Sequence, residues 1–357
     1  LNNKSTHDIR ILAEVPLVSP QDLARRIPLT DKAVQTVLQG RAEAQEIISG
    51  KSKRMLAIVG PCSIHNVEQA IEYAQRLAKL REQVKDQMAI IMRVYFEKPR
   101  TTLGWRGLLV DPMMDGSYDI ALGLSVGRKL LIAINEAGVP AGAEILDPIT
   151  PQYIAELISW ASIGARTTES QIHRELASGM SMPVGFKNAT DGDVQIAVNA
   201  IASARAPHSF VGIDHTGNTS VLRTAGNTDS HLILRGGKNG PNYMPNDITL
   251  ANELLIKAGL APSIIVDCSH GNSNKKPEKQ AQVLTSLIDY RSAHTPGTES
   301  IIGFMIESNL EHGSQTIPAD KAQLKHGVSI TDACIGWDET SALLLEAADR
   351  LRAISAR

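Results

Sequence analysis

The chain has 357 residues, 43% hydrophobic and 21% charged, which is a globular composition and not a disordered one. Lysine and arginine (36) nearly balance aspartate and glutamate (38), so no basic field points to nucleic acid as a partner. Three widely spaced cysteines exclude a disulfide framework, and no apolar run reaches the ~18 residues of a membrane span, so a cytoplasmic enzyme is the expectation.

Residues 1–50 read as a polar helical extension broken by Pro16, Pro20 and Pro28. In "SPQDLARRI" Ser19 is a natural N-cap, with Pro20 at the first helical position. "TDKAVQTVLQGRAEAQEIISG" follows with apolar residues at helical spacing and stops at Gly50. Residues 51–357 read as one catalytic domain. Short apolar runs now appear at 55–62, 89–96, 139–146, 161–166, 183–188, 231–237, 263–270 and 301–308. Helical stretches such as 67–84 and 151–161 separate them. Continuous apolar strands alternating with helices predict a parallel sheet, and eight such units fit an α/β fold of the (β/α)8 TIM barrel type. Residues 208–225 hold two β-like runs around "HTGN", which predicts a β-hairpin inserted between the fifth and sixth barrel strands. Counting that hairpin within the sheet gives a doubly wound fold, the second architecture kept.

Barrel chemistry gathers at the C-terminal ends of the strands. The eight runs end at or beside Cys62, Arg93, Glu144, Arg166, Lys187, Arg235, His270 and Glu307. Any one of these is equally well a solvated loop residue, and any one of the cations equally well half of an ion pair with Glu144, Glu169 or Asp191. Eight together are poorly explained that way. Cys62, His270 and Glu307 come from the first, seventh and eighth strands, and a closed barrel makes the first and eighth neighbours. Asp332, in the following loop "SITDACIGW", is a fourth ligand candidate. This donor set suits one divalent transition metal, Mn, Fe or Co, with Zn also admissible. Cys268 stands either as a further ligand or as packing, and Cys334 reads as core. Buried small hydrophobe is the alternative for Cys62.

Arg93, Lys98, Arg166, Lys187 and Arg235 form a cationic group, which calls for a strongly anionic small substrate carrying phosphate and carboxylate. In "ARTTESQ", Thr168 and Gln171 predict a capping box that turns a positive helix end toward Arg166. The basic loop 97–107, "EKPRTTLGWRG", is placed to fold over a second anionic group. "RGGKNGPNY" has the look of a nucleic-acid segment, but it is a single copy directly behind an apolar strand and is set aside.

"GPCSIH", "IGARTTESQ", "PVGFKN", "ILRGGK", "DCSHGNSNK" and "SITDACIGW", with "MRVYFEKPRTT" and "MIES", occur in an order that resembles 3-deoxy-D-arabino-heptulosonate 7-phosphate (DAHP) synthase of type I. The likeness runs from about residue 8 to about residue 345 and leans toward the tyrosine-sensitive branch. It implies a (β/α)8 barrel that condenses phosphoenolpyruvate with erythrose 4-phosphate in the first step of the shikimate pathway. It places metal ligands on Cys62, His270, Glu307 and Asp332. Phosphoenolpyruvate contacts fall on Arg93, Lys98, Glu144, Arg166, Lys187 and Arg235. Erythrose 4-phosphate contacts fall on Lys98, Pro99, Arg100, Thr101 and Asp332. Lys98 is expected to give the proton to the forming hydroxyl, with a pKa lowered by its cationic neighbours, and Glu144 to orient water. The resemblance also implies a homodimer or homotetramer in which the N-terminal extension reaches a neighbouring subunit. There it helps form a site for an aromatic amino acid, with Asp8, Ile9, Pro151, Gln152, Leu176, Met180, Ser181, Phe210 and Gly212 as candidates. Two alternatives remain: a 3-deoxy-D-manno-octulosonate 8-phosphate synthase-like enzyme, which "KPRTT" disfavours, and a non-catalytic amino acid sensor, which intact ligands and cations disfavour.

Overall fold

The computed structural model describes residues 6–100 and 102–355. Among the described residues there are ten strands: β1 Met55–Gly60, β2 Met88–Arg93, β3 Ala141–Glu144, β4 Trp160–Ile163, β5 Val184–Lys187, β6 Ser209–Ile213, β7 Thr219–Arg223, β8 His231–Leu234, β9 Ile264–Asp267 and β10 Ile301–Glu307. Eight close a barrel in the order β1-β2-β3-β4-β5-β8-β9-β10, with β10 returning to β1. The barrel pairs are all parallel. β6 and β7 pair antiparallel with each other outside it. The hairpin is thus an insertion, and the doubly wound alternative falls.

Every residue of β1 and β2 is buried, as expected for parallel strands covered on both faces. Alternate residues divide between two apolar clusters. Leu56, Ile58, Ala89, Ile91, Trp160, Ile233, Ile265 and Met305 fill the interior. Met55, Ala57, Val59, Ile90 and Met92 pack under the surrounding helices. The helix Asp31–Ile48 adds Ala44 and Ile47 to the inner cluster. It lies across the N-terminal ends of the strands, so close that a Cβ on Gly40 would meet Pro140 Cβ at 2.5 Å. Side-chain caps fix where helices begin. Ser19 Oγ accepts from Asp22 N at 3.1 Å, ahead of Pro20–Arg26, and Asn66 Oδ1 accepts from Gln69 N at 3.0 Å, ahead of Val67–Val84.

The helix expected over 151–161 is instead one α-helical turn, Pro151–Ile154, and a 3-10 turn, Ala155–Leu157. Arg41 takes the carbonyls of Ala155 and Ile158, Asn135 takes that of Leu157, and Trp160 enters β4. Those bonds serve the carbonyls that a longer helix would have used. Among the described residues no helix is long and apolar enough to cross a membrane.

Candidate active site

A cleft of about 160 Å³ opens at the C-terminal mouth of the barrel. Cys62, His270 and Asp332 line it, as do Lys98, Pro99, Arg100, Glu144, Arg166, Lys187 and Arg235. Arg93 and Glu307 are buried beside it, with Arg93 Nη2 donating to Glu307 Oε1 at 3.1 Å. The topology does the gathering, because parallel strands deliver their last residues to one end. Thr101 lies outside the described residues.

The β1–β10 register pairs Gly60 with Glu307, which brings the Cys62 loop to the end of β10. Cys62 Sγ and carboxylate oxygens of Glu307 and Asp332 lie within 4.8 Å of one another. His270 Nε2 stands 3.8 Å from Glu307 Oε1. Its other nitrogen, Nδ1, lies 2.9 Å from Asp267 Oδ2 and 2.7 Å from Ser269 Oγ, so the ring is held with Nε2 toward the cluster. His270 is thus beside Glu307 but outside the group of three whose donor atoms all lie within 4.8 Å of one another. A thiol and two carboxylates drawn together, with an imidazole next to them, fit a divalent transition metal. Burial, with Glu307 beside it, pushes the Cys62 thiol up from its ordinary value. Burial also pushes the Glu307 carboxyl up, but His270, Arg93 and Lys98 outweigh it and hold the group below the usual range. Cys268 is not a ligand here: it is fully buried in the apolar core, with Sγ toward the Val266 carbonyl. Cys334 is likewise buried.

Among the described residues the two buried cations of the cationic group, Arg93 and Lys187, pair with Glu307 and Asp267 and not with Glu144, Glu169 or Asp191. Lys187 Nζ donates to Asp267 Oδ2 at 2.8 Å, both side chains being buried. Arg93 lies 4.0 Å over the Tyr95 ring, and its Nη1 is buried without a hydrogen-bond partner. A buried guanidinium nitrogen left bare is a strong attractor for an anionic ligand. Burial lowers Arg235 from its ordinary value, against the pull of Asp267.

Lys98 departs from expectation. Burial and Arg93 push its ammonium down, but Cys62, Glu307 and Glu144 outweigh them, and the net shift is upward. Its Nζ lies 3.2 Å from Cys62 Sγ. The capping box expected at Thr168 and Gln171 does not form either. Ser170 caps the helix Gln171–Ser178, its Oγ accepting from His173 N at 3.4 Å. Thr168 is buried and donates to the carbonyls of Gly164 and Lys187, tying the loop after β4 to the end of β5.

Thr190, Lys275 and Thr331 line the cleft without having been singled out in the sequence. Asp267, which reads from the sequence as a core polar group, is not among the candidate site residues, although it ends an apolar run as they do. Glu97 is a further buried carboxyl. Burial, and then Asp147, push it up to about 7.

A second cavity, of about 600 Å³, brings together Pro151, Gln152, Met180 and Ser181, with Gln21 and Arg41 also on its wall. Leu176 is buried, Phe210 is packed against the core and Gly212 lies within β6; none of them lines the cavity. Asp8 and Ile9 are exposed on the N-terminal segment and do not reach it within one chain.

The profile of the DAHP synthetase I family matches residues 27–345. The chain is 48% identical over 346 residues to the Tyr-sensitive phospho-2-dehydro-3-deoxyheptonate aldolase of Escherichia coli K12, covering 97% of this chain and 96% of the relative. It is also 48% identical over 351 residues to the Phe-sensitive one of the same strain, covering 98% and 99%. A solved phospho-2-dehydro-3-deoxyheptonate aldolase from Francisella tularensis superposes with a TM-score of 0.92 at 46% identity, covering 96% of this chain and 98% of that one. With a closed barrel and a converging donor set to match these likenesses, the chain belongs to the DAHP synthetase I family.

Proposed function

We propose that this chain condenses phosphoenolpyruvate with erythrose 4-phosphate to give DAHP and inorganic phosphate. The observation that carries the reading is the single cleft in which Lys98, Arg166, Lys187 and Arg235 face the Cys62–Glu307–Asp332 cluster. A trianionic enol phosphate needs several cations, and an aldehyde needs an electrophile beside it. Cys62, His270, Glu307 and Asp332 would hold a divalent metal, Mn, Fe or Co, which supplies Lewis acidity toward an aldehyde oxygen.

The chain's own residues do the rest. Arg93 Nη1, Arg166, Lys187 and Arg235 bind the phosphate and carboxylate of phosphoenolpyruvate and fix its enol face for attack. Carbon 3 of phosphoenolpyruvate bonds to the aldehyde carbon, and the aldehyde oxygen takes a proton to become hydroxyl. Lys98 carries that proton, since its net upward shift keeps the ammonium charged at neutral pH. Water adds at carbon 2, oriented by Glu144, and phosphate leaves as the carbon 2 carbonyl forms. Pro99, Arg100, Thr101 and Asp332 position the sugar phosphate.

An aromatic amino acid regulates this reaction in our reading, and we assign it to the cavity at Pro151, Gln152, Met180 and Ser181. The two Escherichia coli relatives are equally similar, so the choice of tyrosine follows the sequence likeness alone. Residues 1–50 serve as the regulatory extension and residues 51–357 as the catalytic barrel. Ile9 is 71% and Leu12 100% exposed, and Val211 on the hairpin is 74% exposed. Such apolar surface supports assembly into a homodimer or homotetramer through the extension and hairpin. Three buried free thiols suit a reducing cytoplasm.

The test is loss of the phosphoenolpyruvate ultraviolet absorbance on adding erythrose 4-phosphate, with and without chelator. Chelator-sensitive consumption is expected. No consumption by protein reloaded with Mn, Fe or Co overturns the reading.

A further inference from the structure

We propose that Lys275 is an additional substrate-binding residue of the cleft, its ammonium taking an oxygen of a phosphate monoester. The inference rests on the condensation proposed above and adds a residue to its anion site.

Lys275 lines the cleft alongside Arg166, Lys187 and Arg235. Among the described residues nothing engages its ammonium by hydrogen bond or ion pair. Its backbone is built at a cost. Asn274 (φ 52°) and Lys275 (φ 59°) are consecutive left-handed residues, and His270 (φ 54°) is a third in the same loop. Residues other than glycine are strained in that region, and persist there only where the surroundings dictate it.

Here the surroundings do dictate it. Lys275 N donates to the His270 carbonyl at 2.7 Å, and Asn274 N to that of Gly271 at 3.2 Å. Gly271 N donates in turn to the carbonyl of Arg235 at 3.0 Å. Asn272 Nδ2 clamps the loop to the carbonyls of Leu234 and Asp267, at 3.1 and 2.9 Å. The backbones of the two loops touch: a Cβ on Gly236 would meet the Gly271 carbonyl carbon at 2.5 Å. The loop that carries His270 is thus locked to the loop that carries Arg235, and Lys275 is delivered to the anion site by that lock. A lysine that only meets solvent needs no such anchoring. An ammonium is a compact point charge with three donors and binds phosphate oxygen well.

Both substrates of the proposed reaction carry a phosphate monoester, so the experiment must separate them. The full-length, metal-loaded chain is compared with Lys275→Met and Lys275→Arg. Each is measured for kcat, for KM toward each substrate, and for phosphoenolpyruvate Kd without the sugar. Lys275→Met is expected to raise one KM about tenfold, as for loss of one charged hydrogen bond. Lys275→Arg, which keeps the charge, is expected to recover most of that loss. A rise in KM and Kd for phosphoenolpyruvate assigns Lys275 to that phosphate. A rise confined to erythrose 4-phosphate assigns it to the sugar phosphate. Lys275→Met with both KM values within about twofold of the parent overturns the proposal, as does a loss of kcat at unchanged KM. A parent chain that does not turn over at all sinks the condensation reading itself, whereas an active parent with an indifferent Lys275→Met sinks only this inference.

Discussion

Lys187 donates to Asp267 Oδ2 across 2.8 Å, and that same oxygen stands 2.9 Å from Nδ1 of His270. One fully buried carboxylate therefore serves both a cation of the proposed anion site and the imidazole of the proposed metal site. Burial pushes the Asp267 carboxyl up, but Lys187 and His270 outweigh it and hold it well below its ordinary range. Asp267→Asn keeps the shape and removes the charge. It is expected to weaken metal binding about 10- to 100-fold, the usual effect of losing the group that orients a histidine ligand. Titration with Mn²⁺ in the absence of substrates checks this. An unchanged affinity would reduce Asp267 to a counter-ion for Lys187.

Lys98 Nζ, 3.2 Å from Cys62 Sγ, sits where the proposed anion site meets the proposed metal site. Lys98→Met is expected to lower kcat by about 10²- to 10⁴-fold, the range of general acid catalysis. Phosphoenolpyruvate Kd should change far less, because Arg166, Lys187 and Arg235 remain. Near-normal turnover with unchanged binding would remove Lys98 from the proton transfer.

Metal removal should be visible in stability as well as in rate. A group that binds only the folded chain stabilises it by about 2.7 kcal/mol at a hundredfold excess over its Kd. Dialysis against chelator should abolish phosphoenolpyruvate consumption and lower the thermal midpoint. Mn²⁺, Fe²⁺ or Co²⁺ should restore both in the parent chain and fail to do so in Cys62→Ala. A midpoint indifferent to every metal would mean that the Cys62–Glu307–Asp332 cluster holds none.

Glu97 gives a pH dependence of defined sign. Burial, and then Asp147, push its carboxyl up to about 7, against a hydrogen bond from Thr150. The folded chain holds that proton more tightly than the unfolded chain does. The resulting stability is complete below the unfolded value of about 4.3 and is lost as pH rises through about 7. Each unit of the shift corresponds to ~1.4 kcal/mol. Glu97→Gln should therefore gain thermal stability relative to the parent between about pH 5 and about pH 8. Parallel melting curves across that interval would show that Glu97 ionises freely in the folded chain.

The eight barrel strands were legible because a parallel strand covered on both faces is a continuous apolar run, and because strand ends carry the polar exceptions. What escaped has a common cause, a partner distant in sequence. Residues 151–161 have the apolar spacing of a helix, but Arg41, over a hundred residues earlier, takes the carbonyls of Ala155 and Ile158. Thr168 and Ser170 are equally good caps in isolation, and the Lys187 carbonyl decides between them by engaging Thr168. Cationic neighbours of Lys98 suggested a lowered pKa. Acids from three other strands and their loops reverse the sign.

The regulatory reading makes the last prediction. Pro151, Gln152, Met180 and Ser181 line one cavity, whereas Asp8 and Ile9 stand exposed and do not line it. If the extension of a second copy completes the site, deleting residues 1–17 should abolish inhibition by an aromatic amino acid and leave the cleft intact. The helix Pro20–Arg26 and its Ser19 cap are untouched by that deletion. Inhibition curves for tyrosine, phenylalanine and tryptophan should show one effective ligand for the parent, expected to be tyrosine, and none for the truncated chain. Light scattering should show a smaller assembly, since the exposed Ile9, Ile11, Leu12, Val15 and Leu17 are removed. Full inhibition surviving the deletion would place the whole site within one chain, and the extension would then act in assembly alone.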